Sequence, residues 1–187
     1  MNIMVVGVGG QGTLLTSRII GKTALTAGYD VKLSEVHGMA QRGGSVVTFV
    51  RYGEKVYEPV VEEGCVDVLI SFERLEAKRY AHFLKPDGVV IVNDCRIDPM
   101  TVVIGAKTYP ENIIEELSEN HKVYSIDAGA VARELGNSKV LNSVVLGLAA
   151  KYIGFCREEW LEVVKSTVPP KTVDINVKAF ESGFTYA

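Results

Sequence analysis

Near its start the chain reads Ile3-Met4-Val5-Val6-Gly7-Val8-Gly9-Gly10-Gln11-Gly12, a short apolar run that ends in a glycine-rich turn. A helical pattern follows, and this order of elements indicates the fold class. Residues 7–12, the first glycine loop, have the GxGxxG form that is typical of a strand leading directly into a helix. One glycine permits the tight turn, one leaves room for a phosphate or another backbone, and one allows helix and strand to pack closely. Free amides at the helix start attract an anion or an acceptor.

A second glycine-rich segment follows the next predicted strand and reads His37-Gly38-Met39-Ala40-Gln41-Arg42-Gly43-Gly44. If the strands before the two segments are parallel neighbours, both segments emerge at the same edge of one sheet. This second glycine loop, residues 37–44, places an imidazole, a thioether, an amide and a guanidinium between glycines that leave the backbone exposed. The pattern predicts contact with another molecule.

The length and charge of the chain restrict the functions it can have. Its 187 residues, 47% of them hydrophobic, fit one domain over residues 1–187 with a substantial core. A formal net charge of -3 removes the electrostatic basis for nonspecific binding to nucleic acid or an anionic membrane. No basic region precedes the first strand, and no run approaches the roughly 20 apolar residues of a membrane span, so we expect a cytoplasmic protein.

Three cysteines, Cys65, Cys95 and Cys156, are far apart in the sequence and lack any CxxC spacing. This number and spacing support neither a disulfide framework nor a zinc or iron-sulfur ligand set within this chain. We therefore expect buried free thiols and no metal bound by this chain alone.

Apolar periodicity predicts strands that alternate with helices along most of the chain. The predicted strands cover 3–6, 31–36, 45–52, 66–71, 89–93 and 123–126, and the predicted helices cover 12–27, 73–83, 111–119, 140–153, 158–166 and 173–184, with one more starting near 128. This alternation predicts an α/β fold, a Rossmann-like open sheet of mainly parallel strands with flanking helices. In an ordinary nucleotide-binding fold a helix follows strand two. Here a hairpin insertion is predicted instead, in which strand 45–52 returns through Gly53-Glu54 to residues 55–57. The charged face of helix 73–83, which includes Glu73 and Glu76, is predicted to be solvated.

A bound dinucleotide is one interpretation of the first glycine loop. Glu35, near the end of strand two, has the position of the acidic residue that holds ribose hydroxyls in such sites. This makes a stand-alone NAD(P)-binding Rossmann reductase the alternative function. Against it, the second glycine loop follows Glu35 at once and no helix begins there. A purely structural turn is a further interpretation of the same glycines.

The polar residues of the second glycine loop have functional and structural interpretations. Arg42 beside Gln41 suits two-pronged recognition of a carboxylate or phosphate, although a surface arginine without a role fits the same position. Met39 is either a core residue or an adaptable interface contact. His37 lacks metal-ligand partners at suitable spacing, which favours hydrogen bonding over metal binding.

No complete catalytic set emerges from the residues alone. Thr13 stands where a Walker lysine would follow Gly12, and no serine has histidine and acid partners at a recognisable spacing. Asp127 at a strand end is predicted to cap the next helix. Asn142, within an apolar helix, is either an internally bonded amide or a site residue.

The two glycine loops, with Glu35-Val36 before and Ser45-Val46 after the second, and the helical region 132–146 together resemble the gamma-type domain of the 2-oxoacid:ferredoxin oxidoreductases. The resemblance covers nearly the whole chain. It is closest to the indolepyruvate branch of that family, in which the second loop reads Gly-Met-Ala-Gln-Arg-Gly-Gly. The pyruvate branch usually carries Gly-Pro-Glu-x-Arg-Gly there.

The resemblance implies the small subunit of an enzyme that decarboxylates an arylpyruvate oxidatively, reduces ferredoxin and forms an arylacetyl-coenzyme A. It implies that thiamine diphosphate, Mg²⁺ and the iron-sulfur clusters belong to a larger alpha subunit, with coenzyme A as co-substrate. The isolated chain is expected to be inactive. Residues near the shared site or the interface are then expected to be Gly9, Gly10, Gln11, Gly12, His37, Met39, Gln41, Arg42, Gly43, Gly44 and Asn142.

Overall fold

The computed structural model describes residues 1–38 and 43–186 of the chain. Its strands are β1 (Asn2–Val8), β2 (Asp30–His37), β3 (Ser45–Gly53), β4 (Val66–Ser71), β5 (Leu84–Asn93) and β6 (Lys122–Ile126). Its helices are α1 (Thr13–Thr26), α2 (Arg74–Tyr80), α3 (Met100–Val103), α4 (Ile113–Ser118), α5 (Ala128–Glu134), α6 (Leu141–Ala150), α7 (Arg157–Thr167) and α8 (Val173–Phe184). Three predicted site residues, Met39, Gln41 and Arg42, lie outside the described residues.

All six strands form one mixed sheet in the order β2-β3-β1-β4-β5-β6. β1, β4, β5 and β6 are parallel, whereas β3 is antiparallel to both β1 and β2. The predicted α/β sheet of mainly parallel strands is therefore confirmed. β1 and β2 are not neighbours, because β3 lies between them, but these two strands still run in the same direction.

β3 pairs on both of its sides, and this explains where the predicted hairpin differs from the structure. Its residues face β1 from Ser45 to Arg51 and face β2 from Val46 to Gly53. The antiparallel hairpin is thus formed by β2 and β3. Residues 55–57 form no strand, because both edges of β3 are already occupied.

Alternate residues of the central strands enter two different cores, as the period of a β-strand requires. Ile3 and Val5 of β1 face a core that includes residues of α1, α6, α7 and α8. Met4 and Val6 face the opposite core, formed with α2 and α4. The sheet is therefore covered by helices on both faces, and the carboxyl ends of its parallel strands are left to the loops.

Two polar features differ from the prediction. Glu73 and Glu76 are 1% and 4% exposed, so this part of the helix surface is not solvated. The charge pattern was misleading because both carboxylates are hydrogen-bonded to neighbouring loops and strands. The three cysteines are free, as expected, but Cys65 and Cys95 are half-buried and Cys156 is exposed.

Within the described part of the chain, no helix combines the length and the apolar character that crossing a membrane requires.

Candidate functional site

The two glycine loops meet at the edge of the sheet where the parallel strands end. The N–H of Gly9 donates a hydrogen bond of 2.9 Å to the carbonyl oxygen of Gly44. This bond continues the pairing of β1 with β3 beyond its last pair, Val8 with Ser45. The loops therefore share an edge, as predicted, although a strand separates the two strands that precede them.

Gly12 is needed for close packing between helices. Its φ is +88°, in the left-handed region that favours glycine, and a Cβ there would lie 3.1 Å from the side chain of Asn142. Asn142 is buried on α6, so the third glycine of the motif makes room for a second helix. Gly10 has a φ of +101°, and its missing Cβ would meet no atom of the described residues within 4 Å. The chain is therefore open to another molecule at Gly10.

Gln11 holds the first glycine loop in shape. Its Oε1 accepts a hydrogen bond of 2.7 Å from the N–H of Val8, and its Nε2 donates one of 2.9 Å to the carbonyl oxygen of Phe72. The side-chain amide thus joins the end of β1 to the segment after β4. Both ends of this amide are occupied within the chain.

A cleft of 410 Å³ opens where the loops meet, on the α1 side of the sheet. It is lined by Gly9, Gly10, Gly12, Thr13, Leu14, Glu35, His37 and Val46. α1 begins at this cleft, with no side-chain cap and no acidic residue in its first turn. Uncapped N–H groups at the start of a 14-residue helix make this end of the cleft favourable for an anion or an acceptor.

Glu35 and His37 form the opposite side of the cleft, on the edge strand β2. His37 Nδ1 lies 3.2 Å from Glu35 Oε1, and the imidazole side chain is 53% exposed. Glu35 Oε2 is buried and has no hydrogen-bond partner among the described residues; the same holds for the hydroxyl of Thr48, which faces Glu35 across the strand pair. The cleft therefore has uncapped N–H groups at one end and the Glu35–His37 pair at the other.

Across the sheet, Glu73 is a buried carboxylate that accepts hydrogen bonds at both of its oxygens. Its Oε2 accepts from the N–H of Glu76 at 3.0 Å, which caps α2, and its Oε1 accepts from the N–H of Ile97 at 3.1 Å. The hydroxyl of Tyr109 also donates to Oε1. Burial, followed by this bond to a carboxylate, raises the pKa of Tyr109 well above its usual value. The arrangement fixes the segment after β5 against the start of α2.

Glu76 contacts the base of the second glycine loop. The hydroxyl of Ser45 donates to Glu76 Oε2 at 2.5 Å, and Arg79 Nε lies 3.2 Å from Glu76 Oε1. Tyr80 completes the cluster, with its hydroxyl 3.1 Å from that of Ser45. Burial raises the pKa of Glu76, and the bond from Ser45 and the charge of Arg79 oppose that shift. A small cavity of 150 Å³ lies beside this cluster and is bordered by Gly43.

The structure brings some of the predicted site residues together and assigns others to packing. Gly9, Gly10, Gly12 and His37 line one cleft, and Gly43 and Gly44 lie at the start of β3. Gln11 makes hydrogen bonds within the chain, and Asn142 packs against Gly12. Asp127 caps α5, as predicted, by accepting from the N–H of Ala130 at 2.8 Å.

The sequence pattern did not indicate a set of hydrogen-bonded polar residues near the loops. Four of them are buried, namely Glu73, Glu76, Asn93 and Tyr109, whereas Ser45 is half-buried and Arg79 is exposed. Asn93 links three elements, because its Nδ2 donates to Phe72 O at 3.1 Å and its Oδ1 accepts from Ala128 N at 3.0 Å. One available signal was Glu73, two residues after the end of a buried strand, with Glu76 three residues later, which is the spacing of a helix cap. Arg79 pairs with Glu76 three residues earlier, but the partners of Ser45, Asn93 and Tyr109 are distant in sequence and carry no local pattern.

Among residues 1–38 and 43–186, no group of three or more histidine, cysteine or acidic side chains is arranged to hold a metal ion.

Comparison with known proteins gives a consistent result. The family described as pyruvate ferredoxin/flavodoxin oxidoreductase matches residues 2–186. Indolepyruvate oxidoreductase subunit IorB of Thermococcus kodakarensis is 45% identical, over 97% of this chain and 93% of the relative.

Solved structures agree in fold. The gamma subunit of a keto/oxoacid ferredoxin oxidoreductase from Geobacter sulfurreducens has a TM-score of 0.73 and 26% identity, covering 98% of this chain and 95% of that one. A 2-oxoglutarate:ferredoxin oxidoreductase from Magnetococcus marinus, solved with 2-oxoglutarate, coenzyme A and succinyl-CoA, has a TM-score of 0.76 and 21% identity over 98% of this chain and 30% of that one. Given the match over nearly its whole length and the 45% identity to a relative, this chain belongs to the pyruvate ferredoxin/flavodoxin oxidoreductase family.

Proposed function

We propose that this chain is the small subunit of an indolepyruvate-type 2-oxoacid:ferredoxin oxidoreductase. The complex decarboxylates an arylpyruvate oxidatively, transfers the acyl group to coenzyme A and passes the electrons to ferredoxin. The 45% identity to an indolepyruvate oxidoreductase subunit over 97% of the chain supports this assignment. The whole chain then forms one gamma-type domain. A stand-alone NAD(P)-dependent reductase has no support among the related proteins.

The observation that carries the proposal is the meeting of the two glycine loops at an open cleft. Gly9 bonds to Gly44, the uncapped start of α1 faces the cleft, and Glu35 and His37 complete its wall. The cleft has groups that bind and orient a ligand, and it lies at the sheet edge where the second glycine loop begins and ends. Such a wall suits a reaction site that is shared with another subunit.

Thiamine diphosphate, Mg²⁺ and the iron-sulfur clusters are assigned to the larger alpha subunit in this proposal. The donor set of this chain fits that division, because its three cysteines are far apart in sequence and differ in exposure. When bound in the alpha subunit, thiamine diphosphate supplies the reactive carbon atom at which the 2-oxoacid is decarboxylated. This chain contributes the end of the sheet that carries the two glycine loops, residues 7–12 and 37–44, which we call the glycine edge. The glycine edge packs against the partner and borders the oxoacid or coenzyme A pocket.

Individual residues of the edge have separate proposed roles. Gly9, Gly10 and Gly12 permit close approach of the partner's backbone or of an anionic group. Arg42 and Gln41 donate hydrogen bonds to an anionic group at the shared site. His37 and Met39 contact the alpha subunit.

Replacing Arg42 with Ala in the reconstituted complex tests this assignment. We expect kcat/KM to fall on the order of tenfold to a hundredfold, because a charge-assisted hydrogen bond to an anion is worth about 1.5–3 kcal/mol. The control is Arg157→Ala, which removes an arginine that pairs with Glu181 between α7 and α8. Unchanged turnover and unchanged coenzyme A dependence in R42A would rule the role out.

A purely structural assembly subunit is the second candidate, since Gln11 and Asn142 already serve packing. The two candidates differ in what a substitution at the glycine edge changes. In the proposed role, R42A alters kinetic constants of complexes that assemble normally. In the structural role, R42A alters assembly alone.

A further inference from the structure

A buried carboxylate is bonded to the residue that follows the second glycine loop. Ser45 is the first residue of β3, and its hydroxyl donates to Glu76 Oε2 at 2.5 Å. Glu76 belongs to α2, is 31 residues away in sequence and is 4% exposed. A bond between a helix and the first residue after a loop fixes where that loop ends.

The same place is held from a second direction by the first glycine loop. The carbonyl oxygen of Gly44 accepts from the N–H of Gly9 at 2.9 Å. Gly44 is thus tied to the end of β1, while its neighbour Ser45 is tied to α2 on the other face of the sheet. The two bonds together determine the position and the direction in which the second glycine loop returns to β3.

Glu76 is not required for capping its own helix. Glu73 caps α2 by accepting from the N–H of Glu76, so the carboxylate of Glu76 is left for another purpose. Removing a carboxylate from water is unfavourable, and an apolar side chain of similar volume is often equally stable or better in such a place. Arg79, 3.2 Å from Glu76 Oε1, offsets part of this cost and orients the carboxylate.

We propose that Glu76 is a positioning residue, which acts through Ser45 to hold the end of the second glycine loop where its side chains meet the shared reaction site. This inference rests on the proposed function of that loop. Glu76 itself contacts no substrate; its effect on catalysis passes through the Ser45 hydroxyl. Arg79 and Tyr80 support the same bond from α2.

The test uses the reconstituted complex with Ser45→Ala, Glu76→Ala and Glu76→Gln. We expect S45A and E76A each to lower kcat/KM on the order of tenfold, mainly through KM, in complexes that assemble normally. E76Q keeps an acceptor oxygen for the Ser45 hydroxyl and is expected to retain most of the activity. The kcat/KM of the double variant S45A/E76A should be no lower than that of the more impaired single variant, because both changes remove the same bond.

Glu73→Gln is the matched control, because Glu73 is an equally buried carboxylate at the start of the same helix that bonds to Tyr109 and Ile97. We expect E73Q to lower the thermal stability and to leave KM unchanged. Should E76A fail to fold, S45A and E76Q still decide the outcome. Unchanged kinetic constants in S45A, or losses that add in the double variant, would overturn the proposal.

Failure of this inference is distinguishable from failure of the proposed function. If R42A changes the kinetics while S45A does not, only the positioning role of Glu76 is wrong. If R42A is silent in assembled complexes, the proposed role of the second glycine loop is wrong.

Discussion

Two independent features require glycine at position 12, namely its backbone conformation and the closeness of a neighbouring side chain. Its left-handed φ of +88° is strained for any residue with a Cβ, and the space where that atom would lie is taken by Asn142 at 3.1 Å. Gly10 shares the left-handed backbone but lacks a close neighbour among the described residues. Alanine substitutions at these two glycines therefore separate the cost of backbone strain from the cost of a steric clash with Asn142.

Gly12→Ala is predicted to lower the free energy of unfolding by about 2–4 kcal/mol, the sum of left-handed strain and overpacking. Gly10→Ala carries the strain alone and is predicted to cost about 1–2 kcal/mol. Chemical denaturation of both variants measures the difference. Equal losses would show that the contact with Asn142 contributes nothing.

Glu76 makes a second residue-scale prediction, which concerns pH. Because burial raises its pKa, its contribution to folding is fully present below the pKa of the unfolded chain and is lost as pH rises through the folded value. The stability of the wild-type protein relative to Glu76→Gln should therefore decrease as pH rises above about 4, the ordinary pKa range of a glutamate. Urea denaturation at increasing pH checks the sign; a difference that increases with pH would contradict it.

The candidate site could be predicted from the sequence only where its signal is local. The glycine pattern located Gly9, Gly10 and His37, since turn chemistry depends on neighbouring residues. The contact of Gly12 with Asn142 and that of Ser45 with Glu76 join residues far apart in the chain. Nothing in the periodicity of either segment indicates its partner.

At the scale of elements, α6 and α8 approach each other through glycines. A Cβ on Gly147 would lie 2.0 Å from the carbonyl oxygen of Phe180, and one on Gly183 would lie 1.9 Å from that of Val144. These distances are far below any normal contact, so the two helices pack backbone to backbone. Their close packing supports α6, which carries Asn142 to the first glycine loop.

Gly147→Ala is predicted to destabilise the protein by at least about 3 kcal/mol, because two helix backbones would have to separate. The control is Gly129→Ala on α5, where the nearest atoms are side-chain tips of Arg133 and Asp127 at 3.3 Å. That change should be neutral, or stabilising by up to about 1 kcal/mol through helix propensity. Thermal unfolding compares the two; similar midpoints would contradict the close approach of α6 and α8.

Most elements follow from local patterns, but the order of the strands does not. Strand 66–71 and helix 173–184 are confirmed to the residue, because apolar runs and turn residues mark their ends. The position of β3 between β1 and β2 depends on pairing between distant segments. Its own alternation fits an inner or an outer place equally well, and the predicted return through Gly53-Glu54 was wrong for that reason.

In the whole molecule, helices cover both faces of the sheet, and the candidate functional residues lie at the edge where the parallel strands end. That edge carries both glycine loops, a cleft of 410 Å³ and the buried carboxylates behind the second loop. In the proposed enzyme the reacting carbon centre and the electron acceptors lie in the alpha subunit, so this chain provides one wall of a shared site.

The most direct measurement is ferredoxin reduction by the purified chain, alone and after reconstitution with the alpha subunit, in the presence of indolepyruvate and coenzyme A. We predict no turnover by the chain alone and substrate-dependent ferredoxin reduction by the reconstituted complex. Turnover of a 2-oxoacid by the isolated chain, with no second subunit present, would contradict the account.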